Sequence, residues 1–302
     1  MGTALRRLDR GGRSWPAELD TIEGAPECLW ARGRVELLAG DDSARGGPRV
    51  AIVGSRGPSP YGQDQARRFS AWLAARGATI VSGLARGVDS VAHAAALDVG
   101  GDTIAVLGSG VDRPWPAGPL AERVASEGLL LSEFEPGTPP AKHHFPQRNR
   151  LISGLSAAVV VIEGAFRSGS LITARWAADQ GREVFALPGR VDQPLARGCH
   201  RLLREGAALV EDPGELAEIL GLGAAPCHDG SADSVAEVPL LAALQGETST
   251  AGELATRLAR PLNEVLTDLA LLELEGRVAR APGGLYRRVE RGPTDRGRSA
   301  RR

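Results

Sequence analysis

Cysteine, lysine and long apolar runs are what this sequence has least of, and each shortage excludes something. The three cysteines, Cys28, Cys199 and Cys227, stand far apart with no paired spacing, which argues against a disulfide framework or a zinc site. No apolar stretch approaches the roughly 20 residues that a membrane span needs. The arginines near the N-terminus are not followed by an apolar segment, so no secretory signal is expected. A reducing, cytoplasmic setting away from any membrane fits these absences. The formal net charge is only −1, and the basic residues are arginine apart from a single lysine, Lys142. Bulk charge therefore does not mark a nucleic-acid binder, and any such site must come from local clustering.

What is present is an apolar content of 42% in 302 residues, enough for one large α/β domain and a small companion. Residues 1–47 form an N-terminal lead-in with one strand-like run near Trp30. Short apolar runs follow at 50–53, 79–81, 103–107, 129–131, 157–162, 183–186 and 207–210. Helical patterns lie between them at 61–76, 88–98, 119–126, 150–155, 171–180 and 199–205. Apolar strands alternating with amphipathic helices specify a mostly parallel sheet covered on both faces. With right-handed crossovers this gives a doubly wound, extended Rossmann-like α/β domain over 48–221.

A Gly/Ala/Ser/Asp-rich linker, 222–236, leads to a compact pattern at 237–288. There, helical stretches at 239–244, 253–258 and 262–274 precede a hairpin pattern around Gly283-Gly284, the layout of a winged helix. Thr250 and Glu253 have capping-box spacing at the start of the second of these helices. The arginine-rich stretch 289–302 is expected to be a disordered tail.

Ligands of open parallel sheets sit at the carboxyl ends of the strands, which singles out four segments. Gly54-Ser55-Arg56-Gly57 follows the first strand of the alternating series, where glycine admits a phosphate and the next helix offers its N-terminus. Ser82-Gly83-Leu84-Ala85-Arg86-Gly87-Val88-Asp89 also follows a strand. Asp89 and, beyond it, His93 are expected to pin or pack the helix there rather than do chemistry. Between Lys142 and Arg150, the cations Lys142, Arg148 and Arg150 cluster with His143, His144, Phe145 and Gln147. Charge beside an aromatic ring suits a nucleic-acid strand, because cations track the backbone while rings take bases. The alternative for Arg148 and Arg150 is structural ion pairing. Adjacent histidines rarely chelate one metal, and no metal site is expected. Arg167-Ser168-Gly169-Ser170 opens a helix suited to phosphate, with Ser170 as N-cap the plainer reading.

Taken in order, Val53-Gly54-Ser55-Arg56, Val81-Ser82-Gly83-Leu84-Ala85-Arg86-Gly87-Val88-Asp89, Arg148-Asn149-Arg150-Leu151-Ile152-Ser153-Gly154-Leu155-Ser156 and Ser168-Gly169-Ser170-Leu171-Ile172-Thr173-Ala174 resemble the bacterial DNA-processing protein A (DprA/Smf) family. The resemblance implies a non-catalytic protein that binds single-stranded DNA, forms a homodimer and loads the RecA recombinase, protecting incoming strands in natural transformation. It implies no cofactor. Strand-binding positions carry over to Arg56 first, and by motif to Gly54, Ser55, Arg86, Phe145, Arg148, Arg150, Ser168 and Gly169. Two places depart from the family pattern. Trp115-Pro116 is followed by Ala117 instead of a basic residue, and Gly198-Cys199-His200 stands where relatives usually end in Asn.

Two other classes compete. A nucleotide phosphoribohydrolase of the lysine-decarboxylase-like group would need a Pro-Gly-Gly-x-Gly-Thr run and a downstream glutamate, and only Glu133 and Glu163 remain as candidate acids. A transcriptional regulator would need a base-reading helix, but 262–274 offers Asn263, Glu264, Thr267 and Asp268, an acidic set poorly suited to phosphate.

Overall fold

A computed structural model describes residues 4–38, 47–222, 239–244, 248–258, 260–274 and 277–289. The chain divides into two compact units, Met1–Pro226 and Cys227–Arg302. In the first, strands β1 (Leu5–Asp9), β2 (Cys28–Gly33), β3 (Arg49–Val53), β4 (Thr79–Ser82), β5 (Asp102–Val106), β6 (Leu129–Ser132), β7 (Ala158–Val161), β8 (Glu183–Ala186) and β9 (Ala208–Leu209) form one sheet. Its order is β1-β2-β6-β5-β4-β3-β7-β8-β9. From β6 through β9 neighbouring strands are parallel. Every residue of β4, β5, β6 and β7 is buried, because helices cover both faces. The pleat divides each strand between two cores. Ala51, Val53, Val81, Val159 and Val161 face one, whereas Val50, Ile52, Ile80, Ala158 and Val160 face the other.

The helices are α1 (Pro60–Ala75), α2 (Val88–Asp98), α3 (Pro119–Glu127), α4 (His144–Gly154), α5 (Ser170–Asp179), α6 (Arg197–Arg204) and α7 (Pro213–Ile219). The stretch expected to be a lead-in instead extends the sheet. β1 pairs antiparallel with β2, and β2 pairs antiparallel with β6, setting Trp30 against Ser132. β1 escapes a pattern-based reading because only Leu8 of its five residues is buried. Arg34 ties this region to the sheet through Asp102 at 2.6 Å and the Glu127 carbonyl at 3.1 Å.

From β3 the chain steps outward through β4, β5 and β6, then returns to place β7 on the other side of β3. The carboxyl ends of β3 and β7 thus bound the crevice where such sheets take ligands. Glu163, just after β7, closes the base of that crevice. Its carboxylate accepts from the Ser59 backbone N–H at 2.9 Å and from the Ser59 hydroxyl at 2.6 Å.

The second unit contains α8 (Pro239–Ala243), α9 (Ala251–Arg257), α10 (Leu262–Leu274) and strands β10 (Ser249–Thr250), β11 (Val278–Ala281) and β12 (Leu285–Arg288). The strands pair in the order β10-β12-β11 around a core that includes Leu240, Leu254, Val265, Leu269 and Tyr286. This is a winged helix. Thr250 opens α9 with a reciprocal capping box, accepting from Glu253 N–H at 3.2 Å while the Glu253 carboxylate accepts from Thr250 N–H at 2.7 Å. The expected linker and tail lie outside the described residues, apart from Leu222 and Val289.

The junction of β3 and β7 leaves no room for a side chain. A methyl added at Gly54 would lie 2.7 Å from Val88 Cγ2 and 2.9 Å from the Glu163 carbonyl. Gly54→Ala is expected to cost ~1–3 kcal/mol, as overpacking of a tight site does. A thermal melt should show a fall of several degrees. An unchanged melting temperature would contradict this packing role.

Candidate functional site

Helix N-termini carry positive partial charge and unsatisfied N–H groups. Those that follow β3, β4 and β7 all point toward the crevice, but two already have an anion from the protein. At α1 it is Glu163, held by the N-cap Ser59. At α2 it is Asp89, which accepts from Gly83 N–H at 3.1 Å and Ala85 N–H at 3.4 Å. The N–H between them, that of Leu84, goes to His93 Nε2 at 3.3 Å. Leu84 is a non-glycine residue with φ of 56°, a costly conformation that persists only when its surroundings hold it. His93 provides that hold. Thr103 donates to the Ile80 carbonyl at 2.8 Å, so its hydroxyl accepts from His93 Nδ1–H at 2.7 Å, leaving Nε2 as acceptor. Asp89 and His93 thus pin the second segment, as expected. The backbone N–H groups of Gly83, Leu84, Ala85 and Val88 are thereby committed within the protein.

The remaining N-terminus is that of α5. It has no acidic residue in its first turn, and Ser168 Oγ accepts from Ser170 N–H at 3.3 Å. The Ser168 and Ser170 hydroxyls lie 2.8 Å apart, with Gly169 exposed between them. Of the three it is the one with no protein carboxylate at its first turn, which leaves its dipole open to an outside anion.

The third segment is more helical than expected. α4 begins at His144, not near Arg150. Pro146 is tolerated in the first turn, where its missing N–H has no intrahelical partner to lose. At 100° per residue, Phe145, Arg148, Asn149 and Ile152 then share the face toward the cleft, while Arg150 points elsewhere.

Two of the arginines expected to face phosphate are revised by this placement. Arg148 is buried, donating to the Gly83 carbonyl at 3.0 Å and more closely to the Val106 carbonyl. Burial pulls its pKa down to about 10, against the attraction of Asp89. Arg150 makes a bidentate pair with Glu133 at 2.7 and 2.6 Å, and its Nε and Nη2 donate to the Gly24 carbonyl at 3.1 and 2.9 Å. Both side chains of that pair are only 9% exposed. Gly54 and Ser55 are likewise scaffold. Ser55 Oγ accepts from Gly57 N–H at 3.1 Å and the Ser55 carbonyl from Val88 N–H at 3.1 Å, a turn that projects Arg56 outward.

Above this floor lies a cleft of about 610 Å³, lined among others by Arg56, Lys142, Phe145, Arg167, Ser168 and Gly169. A second cleft of about 490 Å³ adjoins it, sharing Arg56, Ala85 and Phe145 and adding Arg86 and Trp115. The Arg56 guanidinium stands 5.6 Å from the centre of the Phe145 ring. Arg56, Arg86, Lys142 and Arg167 are all exposed, and none forms an ion pair among the described residues. Lys142 and Arg167 lie within the segments singled out from sequence but are not among the positions that the family resemblance carries over. The signal that separates them from Arg148 and Arg150 is exposure, which spacing alone does not carry. Trp115 left no signal beyond its departure from the family motif.

The Gly198-Cys199-His200 departure is accommodated structurally. Cys199 is buried beneath the crevice, its thiol pKa pushed up to about 12 by desolvation. His200 Nε2 lies 2.9 Å from the Gly189 carbonyl. Among the described residues no helix is long and apolar enough to cross a membrane.

Fold and site together define a Rossmann-like protein with a cation-rimmed cleft at its topological switch point and an appended winged helix. A family model described as DNA recombination-mediator protein A matches residues 7–221, and one described as the DprA winged helix domain matches residues 223–284. The chain belongs to the DNA processing protein A (DprA/Smf) family. It is 43% identical over 286 residues to Protein Smf of Escherichia coli (strain K12), covering 90% of this chain and 75% of that relative. It is 40% identical over 279 residues to the putative DNA processing protein DprA of Mycobacterium tuberculosis (strain ATCC 25618 / H37Rv), covering 89% and 70%.

Among solved structures, DNA processing protein A from Streptococcus pneumoniae superposes with a TM-score of 0.66 at 39% identity, over 72% of this chain and 74% of that one. DNA processing protein A from Helicobacter pylori, described with a single-stranded DNA binding mode, superposes with a TM-score of 0.63 at 30% identity, over 73% and 98%.

The His93 relay makes a pH prediction. Burial, with the Arg148 charge in support, pulls the folded pKa down to about 3, against about 6.5 in an unfolded chain. Below about 6.5 the unfolded chain binds a proton that the folded one refuses, so stability falls as pH drops toward 3, by up to ~1.4 kcal/mol per pH unit. His93→Gln should lose that part of the slope when urea midpoints are compared at neutral and mildly acidic pH. Identical slopes in the two proteins would remove His93 from this role.

Proposed function

We propose that this protein is a cytoplasmic single-stranded DNA binder that acts as a recombination mediator, taking a strand's phosphates at the switch-point cleft. One observation carries the proposal. Four exposed cations, Arg56, Arg86, Lys142 and Arg167, surround the paired clefts without an ion pair among the described residues. The N-terminus of α5, with no carboxylate in its first turn and Gly169 exposed beside Ser168, adds its positive dipole end to that ring of charge. Phe145 supplies a ring on which an unpaired base can stack. A duplex hides its base faces, so this arrangement favours a single strand.

On this reading the site holds a strand rather than transforming it. Its support is that Glu133 pairs with Arg150 and Glu163 with Ser59, giving both candidate acids a partner within the protein. Membership of the family extends the proposal to a homodimer that protects incoming strands in natural transformation and loads the RecA recombinase onto them.

Salt-titrated binding to single- and double-stranded oligonucleotides tests the reading. Removing one cation that neutralises a phosphate of a single strand lowers the slope of log K against log salt by ~0.7. Arg56→Ala should lower the slope by about that amount and weaken binding, without changing the melting temperature. Arg150→Ala should do the reverse, destabilising the fold by ~3–5 kcal/mol because Glu133 is left buried and unpaired. Failure of the wild type to bind single strands at low salt would overturn the proposal.

A further inference from the structure

The second cleft has no assigned occupant, yet it is built for one. Trp115 is 54% exposed at its rim. Phe166, equally exposed, has the Arg201 guanidinium 5.2 Å from its ring centre, whereas Trp115 has no ring or cation partner among the described residues. An indole buries some 150–250 Å² when covered, and nothing in the fold uses this surface. Beside it stands Arg86, exposed and without an ion pair among the described residues. No carboxylate lines the cleft. An aromatic face next to unneutralised guanidinium groups is chemistry for a nucleotide, base on the ring and phosphate on the cations.

Continuity with the first cleft identifies which nucleotide. Arg56 and Phe145 line both clefts and form the divide between them. We infer that Trp115 is a second base-stacking platform, and that one strand runs through both clefts with a phosphate on Arg56 at the divide and a base against the indole. This rests on the strand-binding reading above and specifies its second half. The strand leaves the first cleft past Arg56, and Arg86 takes the next phosphate. Trp115 then takes a base by its π-face, which every base possesses, so the subsite adds affinity without sequence preference.

Oligothymidylate titrations of wild type, Trp115→Phe and Trp115→Ala, read by tryptophan emission and by anisotropy of a labelled strand, test the inference. Binding should quench wild-type emission. Trp115→Phe should abolish most of the quench while keeping affinity within a few-fold, since a ring remains. Trp115→Ala should weaken binding by about tenfold, and both variants should melt as the wild type does because the side chain is exposed. Strand binding that depends on Arg56 but is unchanged in Trp115→Ala would overturn the subsite and leave the strand-binding reading intact. Wild type that binds no oligothymidylate at all would overturn both. Quenching by free thymidine monophosphate as strong as by the polymer would overturn the continuous path, marking a separate mononucleotide site.

Discussion

A guanidinium out of water must be answered by the groups around it, and the switch-point architecture depends on how Arg148 is answered. Its side chain rises from α4 into the space between the end of β5 and the loop after β4, where the Val106 and Gly83 carbonyls accept from it. Asp89, buried at the start of α2, has its carboxyl pKa raised by desolvation and drawn back down by the Arg148 charge. Asp89 in turn gathers the N–H groups of Gly83 and Ala85, which brings Leu84 into its left-handed conformation and onto His93. The Arg148 hydrogen bonds to the Gly83 and Val106 carbonyls thus set the relative positions of α4, β5 and the loop after β4. Gly83 is glycine for the same reason, since a methyl there would lie 2.6–2.8 Å from the guanidinium atoms.

The arginine-rich composition conceals a division of labour. Buried guanidinium groups act as struts, with Arg150 joining α4 to Glu133 and the Gly24 carbonyl. Arg56, Arg86 and Arg167, with Lys142, rim the clefts without an ion pair among the described residues, whereas exposed arginines elsewhere, such as Arg7, Arg10 and Arg67, pair with nearby carboxylates. Buried pairs contribute little net stability, because desolvation offsets their attraction, but breaking one is costly. Exposed cations contribute little to the fold and keep their charge available to a polyanion. A net charge near zero is compatible with nucleic-acid binding when uncommitted cations line a cleft.

The parallel strands β3 to β7 were legible in the sequence because burial on both faces leaves largely apolar runs. β1 was not, since one buried residue makes no pattern. The start of α4 was equally hidden. Its first turn faces the cleft, so it lacks apolar periodicity, and Pro146 looks like a break. Had the helix been read from His144, helical spacing would have put Arg148 with Phe145 on the cleft face and turned Arg150 away. Spacing still could not have shown that Arg148 lies beneath the surface while Arg56 and Lys142 lie above it. Asp89, local to its helix, was legible, but Glu163 at the start of α1 was not, because the partner of an N-cap can be distant in sequence, as Ser59 and Glu163 are.

The protein's own carboxylates, Glu163 and Asp89, sit at the N-termini of α1 and α2, leaving α5 and the uncommitted cations of the clefts to hold a strand. A crystal structure with a short oligothymidylate tests this most directly. It should show a phosphate at the Ser168–Gly169–Ser170 turn within reach of Arg56, with the Arg148 and Arg150 hydrogen bonds unchanged. A strand whose phosphates contact Arg148 or Arg150, or which bypasses the α5 N-terminus altogether, would contradict the account.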